Sequence, residues 1–239
     1  MSVEVMSYRL TYRGKPAGTQ VLKSELRGRH AQLEGRSQFQ GPLGTSTVVQ
    51  KSRSHAQRYF SLRYLEETQE RNESRSLDVT FDAATGLVTA VKGPKDQAAI
   101  PYLVPFRDPL GLLYELRALD APAQPATVPM LGKDVRVQFA GVVDLETALG
   151  QRRARAYLLH PGQSVVYVDV AEPHHILKLT QRLAEGHLDA LLVKVGSEPS
   201  LEPFGEAPPP RRSKGGRDKA ERDKGDQPQK RRPRRRRRR

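Results

Sequence analysis

"FRDPLGLLYELRALD", residues 106–120, is the stretch on which the fold turns. Asp108 is placed to accept hydrogen bonds as a helix N-cap. Pro109 falls at the first helical position, where its missing N–H costs nothing. Leu112, Leu113, Leu116 and Leu119 follow at helical spacing and predict one short helix, with Leu113 and Leu116 buried against a sheet. Gly111 is a poor helix residue, by about 1 kcal/mol against alanine, and points to close packing or a loose first turn.

On either side of this stretch the pattern is that of strands. Over residues 1–92, Tyr8, Leu10 and Tyr12 share one face of "YRLTY", and the same period of two recurs in Phe60/Leu62/Tyr64 and Leu77/Val79/Phe81. Successive strand side chains point to opposite faces, so this alternation suits half-buried antiparallel strands. "RGKPAG", "RGRH", "GPLG" and "DAATG" read as the turns between them, with Gly86 free to take a positive φ. Downstream, "APAQPATVP" at 121–129 reads as irregular. Strands resume with "VRVQFAG", "RARAYLLH", "SVVYVDV", "HILKLTQRL" and "HLDALLVKV". The expected fold is mainly β: a strongly curved antiparallel sheet or barrel of roughly ten to twelve strands with one short buried helix.

The composition changes after Val195. The division read from it is a β-rich globular domain at 1–200 and a disordered Pro/Gly/Arg-rich basic tail at 201–239, which has too few large apolar residues to offset the entropy of ordering. Charge divides the same way. Residues 211–239 hold 16 Lys/Arg against four Asp/Glu, a net of +12, leaving 25 basic and 23 acidic groups, or +2, on the other 210 residues. The basicity of the chain therefore belongs to its tail.

The segment "DPLGLLYELRAL", set before a closing "VVYVDVAEPHHILKLTQ…LDALLVKV", resembles the bacterial domain-of-unknown-function family 3108. Asp108, Leu110, Leu113, Tyr114, Leu116 and Arg117 carry the resemblance, which covers residues 5–195. It implies a β-rich domain with one buried helix and assigns no activity and no catalytic residue. Relatives in that family are usually exported. Here the opening "MSVEVMSYRLTYRG" has no apolar run of signal-peptide length, so a cytoplasmic address is the expectation. No apolar run reaches the length of a membrane-spanning helix.

The residues offer little catalytic chemistry. The chain has no cysteine, which excludes disulfides, thiolate metal sites and cysteine nucleophiles. "EPHHI" is the one histidine cluster, but adjacent strand residues face apart, so His174 and His175 are not placed to share a metal. Glu66 and Glu67 diverge for the same reason. "GPLGTST" lacks the lysine of a phosphate-binding loop, and there is no Gly-x-Ser-x-Gly elbow. No metal site, cofactor or enzymatic site is expected, although a site built from scattered residues would leave no such signature.

The tail is the clearest functional signal. Lys230, Arg231, Arg232, Arg234, Arg235, Arg236, Arg237, Arg238 and Arg239 form a polycation whose guanidinium groups pair with phosphate without needing a fold. The expected partner is nucleic acid or another polyanion, bound without sequence preference; anionic membrane and a merely solubilising role are the rivals. For the body, Tyr8, Tyr12, Phe60, Tyr64, Phe81 and Phe139 are candidates to line an apolar small-molecule or lipid pocket on a concave sheet face, against the alternative of core packing. The reading as a whole is a noncatalytic binding protein.

Overall fold

The computed structural model describes residues 3–82, 84–92, 96–101, 104–119 and 124–205. Eight strands precede the helix: β1 (Val3–Tyr12), β2 (Lys15–Arg27), β3 (His30–Phe39), β4 (Ser46–His55), β5 (Ser61–Glu70), β6 (Glu73–Asp82), β7 (Leu87–Lys92) and β8 (Asp96–Pro101). The helix α1 spans Pro109–Ala118. Six strands follow: β9 (Ala126–Met130), β10 (Lys133–Thr147), β11 (Gly150–His160), β12 (Ser164–Asp169), β13 (Ile176–Leu183) and β14 (Gly186–Glu198).

All fourteen pair antiparallel in one sheet, in the order β8-β7-β6-β5-β4-β3-β2-β1-β14-β13-β12-β11-β10-β9. Within β1–β8 and within β9–β14 each strand lies beside its chain neighbours, β8 and β9 are the two edges, and the β1–β14 pairing joins the two meanders. The turns are tight. Arg13 and Gly14 both take positive φ (51° and 76°) between β1 and β2, as a two-residue hairpin whose twist matches its strands requires.

The sheet curls around α1. The helix lies against β3 and β4 on one side and against β12 on the other. The curl is also stitched across its ends. Ser61 at the start of β5 donates its N–H to the Phe106 carbonyl (2.9 Å), and Arg107 donates to the Pro129 carbonyl of β9 (2.8 Å). The residues leading into the helix thus tie the first meander to the last.

Burial follows the alternation. Met6, Tyr8, Leu10 and Tyr12 point inward from β1, joined by Leu22, Leu33, Tyr157, Ile176, Leu177 and Leu192 in the main core. Tyr64, Val79, Phe81 and Val88 form a smaller cluster under β5–β7. From the helix, Leu110, Leu112, Tyr114 and Leu116 are buried. Leu113 is only partly buried, because the inward arc is centred between Leu112 and Leu116. Gly111 is explained by close approach: a Cβ there would meet the Tyr59 carbonyl oxygen at 3.1 Å.

Three expectations need correction. The described residues form fourteen strands, beyond the ten to twelve expected. Residues 126–130 form β9 despite Pro129, because β10 is the one strand beside β9 and an edge strand tolerates a missing donor. Edge strand β8, likewise proline-bearing, is exposed along its whole length and so shows no alternation. Phe60 does not belong to a strand face: β5 begins one residue later, and Phe60 packs at 5.1 Å on His55, the last residue of β4.

The division at 200/201 falls inside a held segment. Residues 199–205 cross the outer face of β2–β5. Glu25 accepts from the Leu201 N–H (3.0 Å), Gln32 donates to the Glu202 carbonyl, and Arg53 donates to the Gly205 carbonyl (2.6 Å). Arg63 sits over the Phe204 ring at 5.0 Å, and Leu201 is buried. Few apolar groups suffice here because polar side chains of the sheet satisfy the backbone.

Leu116→Ala is expected to lower stability by roughly 2–5 kcal/mol, through lost transfer energy and the cavity left behind. Leu113→Ala should cost visibly less. Urea denaturation midpoints of the two variants check the assignment of the buried arc.

Candidate functional site

The helix is held by polar groups at both ends. Asp108, 2% exposed, caps the N-terminus by accepting from the Gly111 N–H (2.9 Å). The same carboxylate accepts from Ser52 Oγ of β4 (2.6 Å) and from Ser61 Oγ of β5, and the Asp108 N–H donates back to Ser61 Oγ (2.7 Å). Burial raises its pKa above the ordinary carboxylate value, with the serine and backbone donors opposing. At the other end, Arg155 of β11 donates to the carbonyls of Leu119 (2.6 Å) and Arg117 (3.3 Å), and Tyr157 Oη donates to Leu119 (2.9 Å). A cation there complements the helix dipole and satisfies carbonyls that have no partner within the helix.

Arg117 reaches from the last turn to β1. It grips Glu4 through both carboxylate oxygens (2.6 and 3.0 Å) and donates to the carbonyls of His174 and Pro173 (2.9 Å each). Glu4 also accepts from Ser24 Oγ (3.2 Å) and lies 3.3 Å from His175 Nε2. Burial alone would raise the Glu4 pKa. The hydrogen bonds from His175 and Arg117 and their charges outweigh it and bring the carboxyl down to about 2.

Beside this network is a cavity of about 540 Å³. Its apolar lining includes Ala31 and Leu33 of β3, Tyr59, Tyr114 and Pro173, and Leu26 stands 63% exposed. Glu4, Ser24, Arg117 and His174 supply the polar part. A second recess of about 450 Å³ shares Tyr59 and Ala118 with it and is lined by Phe60, Arg58, Arg107 and Glu115. Tyr59, at φ 55°, is held in the left-handed region where the two recesses meet. A smaller space of about 200 Å³ lies toward the β1–β2 turn, among Leu10, Gln20, Phe39 and Gln50.

The six aromatic candidates do not line one concave face. Tyr8 and Tyr12 are packed in the main core, where Tyr8 Oη donates to the Ile176 carbonyl (2.9 Å). Phe139 packs on Tyr157 at 5.9 Å. Tyr64 and Phe81 belong to the smaller cluster, and Tyr64 Oη donates to Glu66 (2.6 Å). Of the six, only Phe60 borders the recesses at the helix end. The tail candidates Lys230, Arg231, Arg232 and Arg234 to Arg239 lie outside the described residues.

Two of the residues that do line the cavity, Glu4 and Arg117, had a signal in the sequence. Glu4 is in phase with Met6, Tyr8 and Leu10, so a carboxylate falls on the apolar face of a strand. Arg117 likewise follows Leu113 and Tyr114 at helical spacing. One acid and one base on two inward faces are natural partners. Among the described residues, no three of His, Asp and Glu converge to hold a metal. The ion pair is committed to structure: every oxygen of Glu4 has a donor, so it is poorly suited to exchange protons with a substrate.

Comparison with known proteins follows the same lines. The family described as "Protein of unknown function (DUF3108)" matches residues 7–192. Among solved structures, a beta-barrel-like protein of the domain of unknown function DUF1849 from Brucella abortus is similar, with a TM-score of 0.53 and 11% identity. That match covers 83% of this chain and 99% of the other, and at such low identity it bears on the fold alone. No curated protein matches the chain.

Glu4 sets a pH dependence with a definite sign. Its folded pKa, about 2, lies below the ordinary 4.5, so its stabilisation is fully present above pH 4.5 and is lost as pH falls towards 2. The stability difference between the native chain and Glu4→Gln should therefore shrink across that window. Denaturation midpoints measured from pH 6 down to the acid limit of the fold check it.

Proposed function

The chain belongs to the DUF3108 family, whose function is unknown, and we propose that it is a noncatalytic binding protein whose curled sheet holds a small, largely apolar molecule beside the helix. One observation carries the reading. At the C-terminal end of α1, a cavity of about 540 Å³ has mostly apolar walls and a single polar side. That size and lining match small-molecule sites, which bury an apolar body and fix its orientation with a few polar groups. The charged groups at the edge are bound to one another, which supports holding over turnover.

A second activity is supported by the charge distribution: of the net +14, +12 falls within residues 211–239. A run of arginines without aromatic residues binds polyanions through phosphate contacts, with strong salt dependence and little sequence preference. In this reading the tail attaches the domain to nucleic acid or another polyanion, and the cavity carries a separate cargo.

Nile red should bind the chain saturably and raise its melting temperature by mass action. Ala118→Trp, at an exposed lining position, should fill the space, abolish that binding and leave the fold intact. Unchanged binding by Ala118→Trp, or no saturable binding by the native chain, would reject the cavity as a site.

Removal of residues 207–239 should abolish most RNA and single-stranded DNA binding. If about six to ten phosphates are neutralised, the full chain should lose on the order of 10³–10⁵ in affinity between 50 and 200 mM salt. Equal retention of the two forms in a filter assay would reject the tail as the binding element.

A further inference from the structure

We propose that the smaller recess toward the β1–β2 turn is a second binding site, which takes a neutral polyhydroxylated molecule the size of one sugar ring. It is separate from the cavity beside Arg117, with which it shares no lining residue.

The inward face of the sheet changes character there. Tyr8, Gln20, Ser37 and Val48 are register partners across β1 to β4, and Tyr8 packs in the core. Two residues along, Leu22, Gly35, Gln50 and Glu66 are partners in turn. Gln181 follows Leu179 of β13 at the period of two that keeps a side chain on one face. Where alternation calls for apolar side chains, the sheet sets three amides and a buried serine around a space of about 200 Å³. The side chains of Gln20, Ser37 and Gln181 make no hydrogen bond to the protein among the described residues. Gln50 donates to Tyr64 Oη (2.8 Å) and Glu66 (2.9 Å), which leaves its carbonyl oxygen to accept. Among the described residues, only Ser54 Oγ, Tyr114 Oη and Arg155 Nε are both sealed and unpaired, so the polar groups of the recess are open to it.

The chemistry of the lining selects the guest. Amides and a hydroxyl both donate and accept, as the hydroxyls of a sugar do. Leu10 and Phe39 supply apolar wall for the C–H face of a ring. No charged side chain lines the recess, so an ionic guest would be buried without a counter-charge. A wholly apolar guest would displace water from four polar side chains and leave them without partners. The space of about 200 Å³ equals roughly six or seven waters at ~30 Å³ each, the scale of a single ring.

The test is titration of the full chain with glucose, galactose and myo-inositol, read from the side-chain NH₂ signals of Gln20, Gln50 and Gln181 by NMR. At least one of them should shift these signals saturably, with a Kd in the millimolar range. Gln20→Leu, and Gln181→Leu at an exposed position, should each weaken that binding by about threefold to tenfold, the order of one hydrogen bond. Glucuronate and cyclohexanol, which add a charge or remove the hydroxyls, should not saturate the same signals. Nile red, directed at the cavity beside Arg117, should leave the sugar affinity unchanged. Linear shifts with all three sugars and polyols would overturn the proposal, as would saturation by glucuronate or cyclohexanol with equal affinity. Unchanged affinity in both variants would also overturn it. Displacement of the sugar by Nile red would overturn the separation of the two sites, whereas failure of Nile red to bind at all bears on the other cavity alone.

Discussion

Asp108 is a buried carboxylate shared by three elements, and the arrangement of the curled sheet depends on it. It ends the irregular approach to α1, caps the helix, and accepts from serines on β4 and β5. A carboxyl group in so dry a place is tolerated only because hydrogen-bonding partners surround it. That requirement ties the position of the helix to the spacing of two strands. Arg155 and Tyr157 then hold the other end from β11, in the opposite meander. The helix acts as a bolt across the curl, with polar contacts setting its position and apolar side chains filling the space around it.

A bolt of ten residues does not fill the interior of a fourteen-stranded sheet. Leu110 packs over Gly35 near the middle of β3, where a Cβ would come within 3.2 Å of it. Space is left beyond either end: the small recess toward the β1–β2 turn and the larger cavity beside Arg117. The larger one is kept open by the Arg117–Glu4 pair, whose bidentate geometry braces the last helical turn against β1. Hydrogen bonds from Arg117 to the carbonyls of Pro173 and His174 fix the facing loop as well. A cavity with such braced walls is preorganised, and a guest has little ordering cost to meet.

Much of this fold was legible in the sequence. The period of two along "YRLTY" and the cap of "DPLGLLYEL" state their structural roles locally, and both are realised in β1 and α1. The edge strands were not legible, since β8 and β9 face water or carry proline and have no apolar alternation to detect. Nor was the site. The prominent aromatics are mostly consumed by packing, as Tyr8, Tyr12, Phe81 and Phe139 illustrate. The cavity is instead defined by apolar and polar residues brought together from β1, β2, β3, α1 and the loops before β5 and β13. Only their three-dimensional coincidence distinguishes them, and the polar stretch at 199–205 shows the same thing: its anchors lie more than 140 residues away.

Native mass spectrometry of the full chain, purified from its own cells and treated with nuclease, is the most direct measurement of whether the braced cavity holds a guest. A bound population should carry a discrete added mass below that of a nucleotide oligomer. Mild collisional activation should release it as a neutral apolar molecule, and the added mass should be missing from Ala118→Trp prepared in the same way. A bare chain mass in both preparations, or the same adduct in both, would contradict the cavity as the functional centre of the domain.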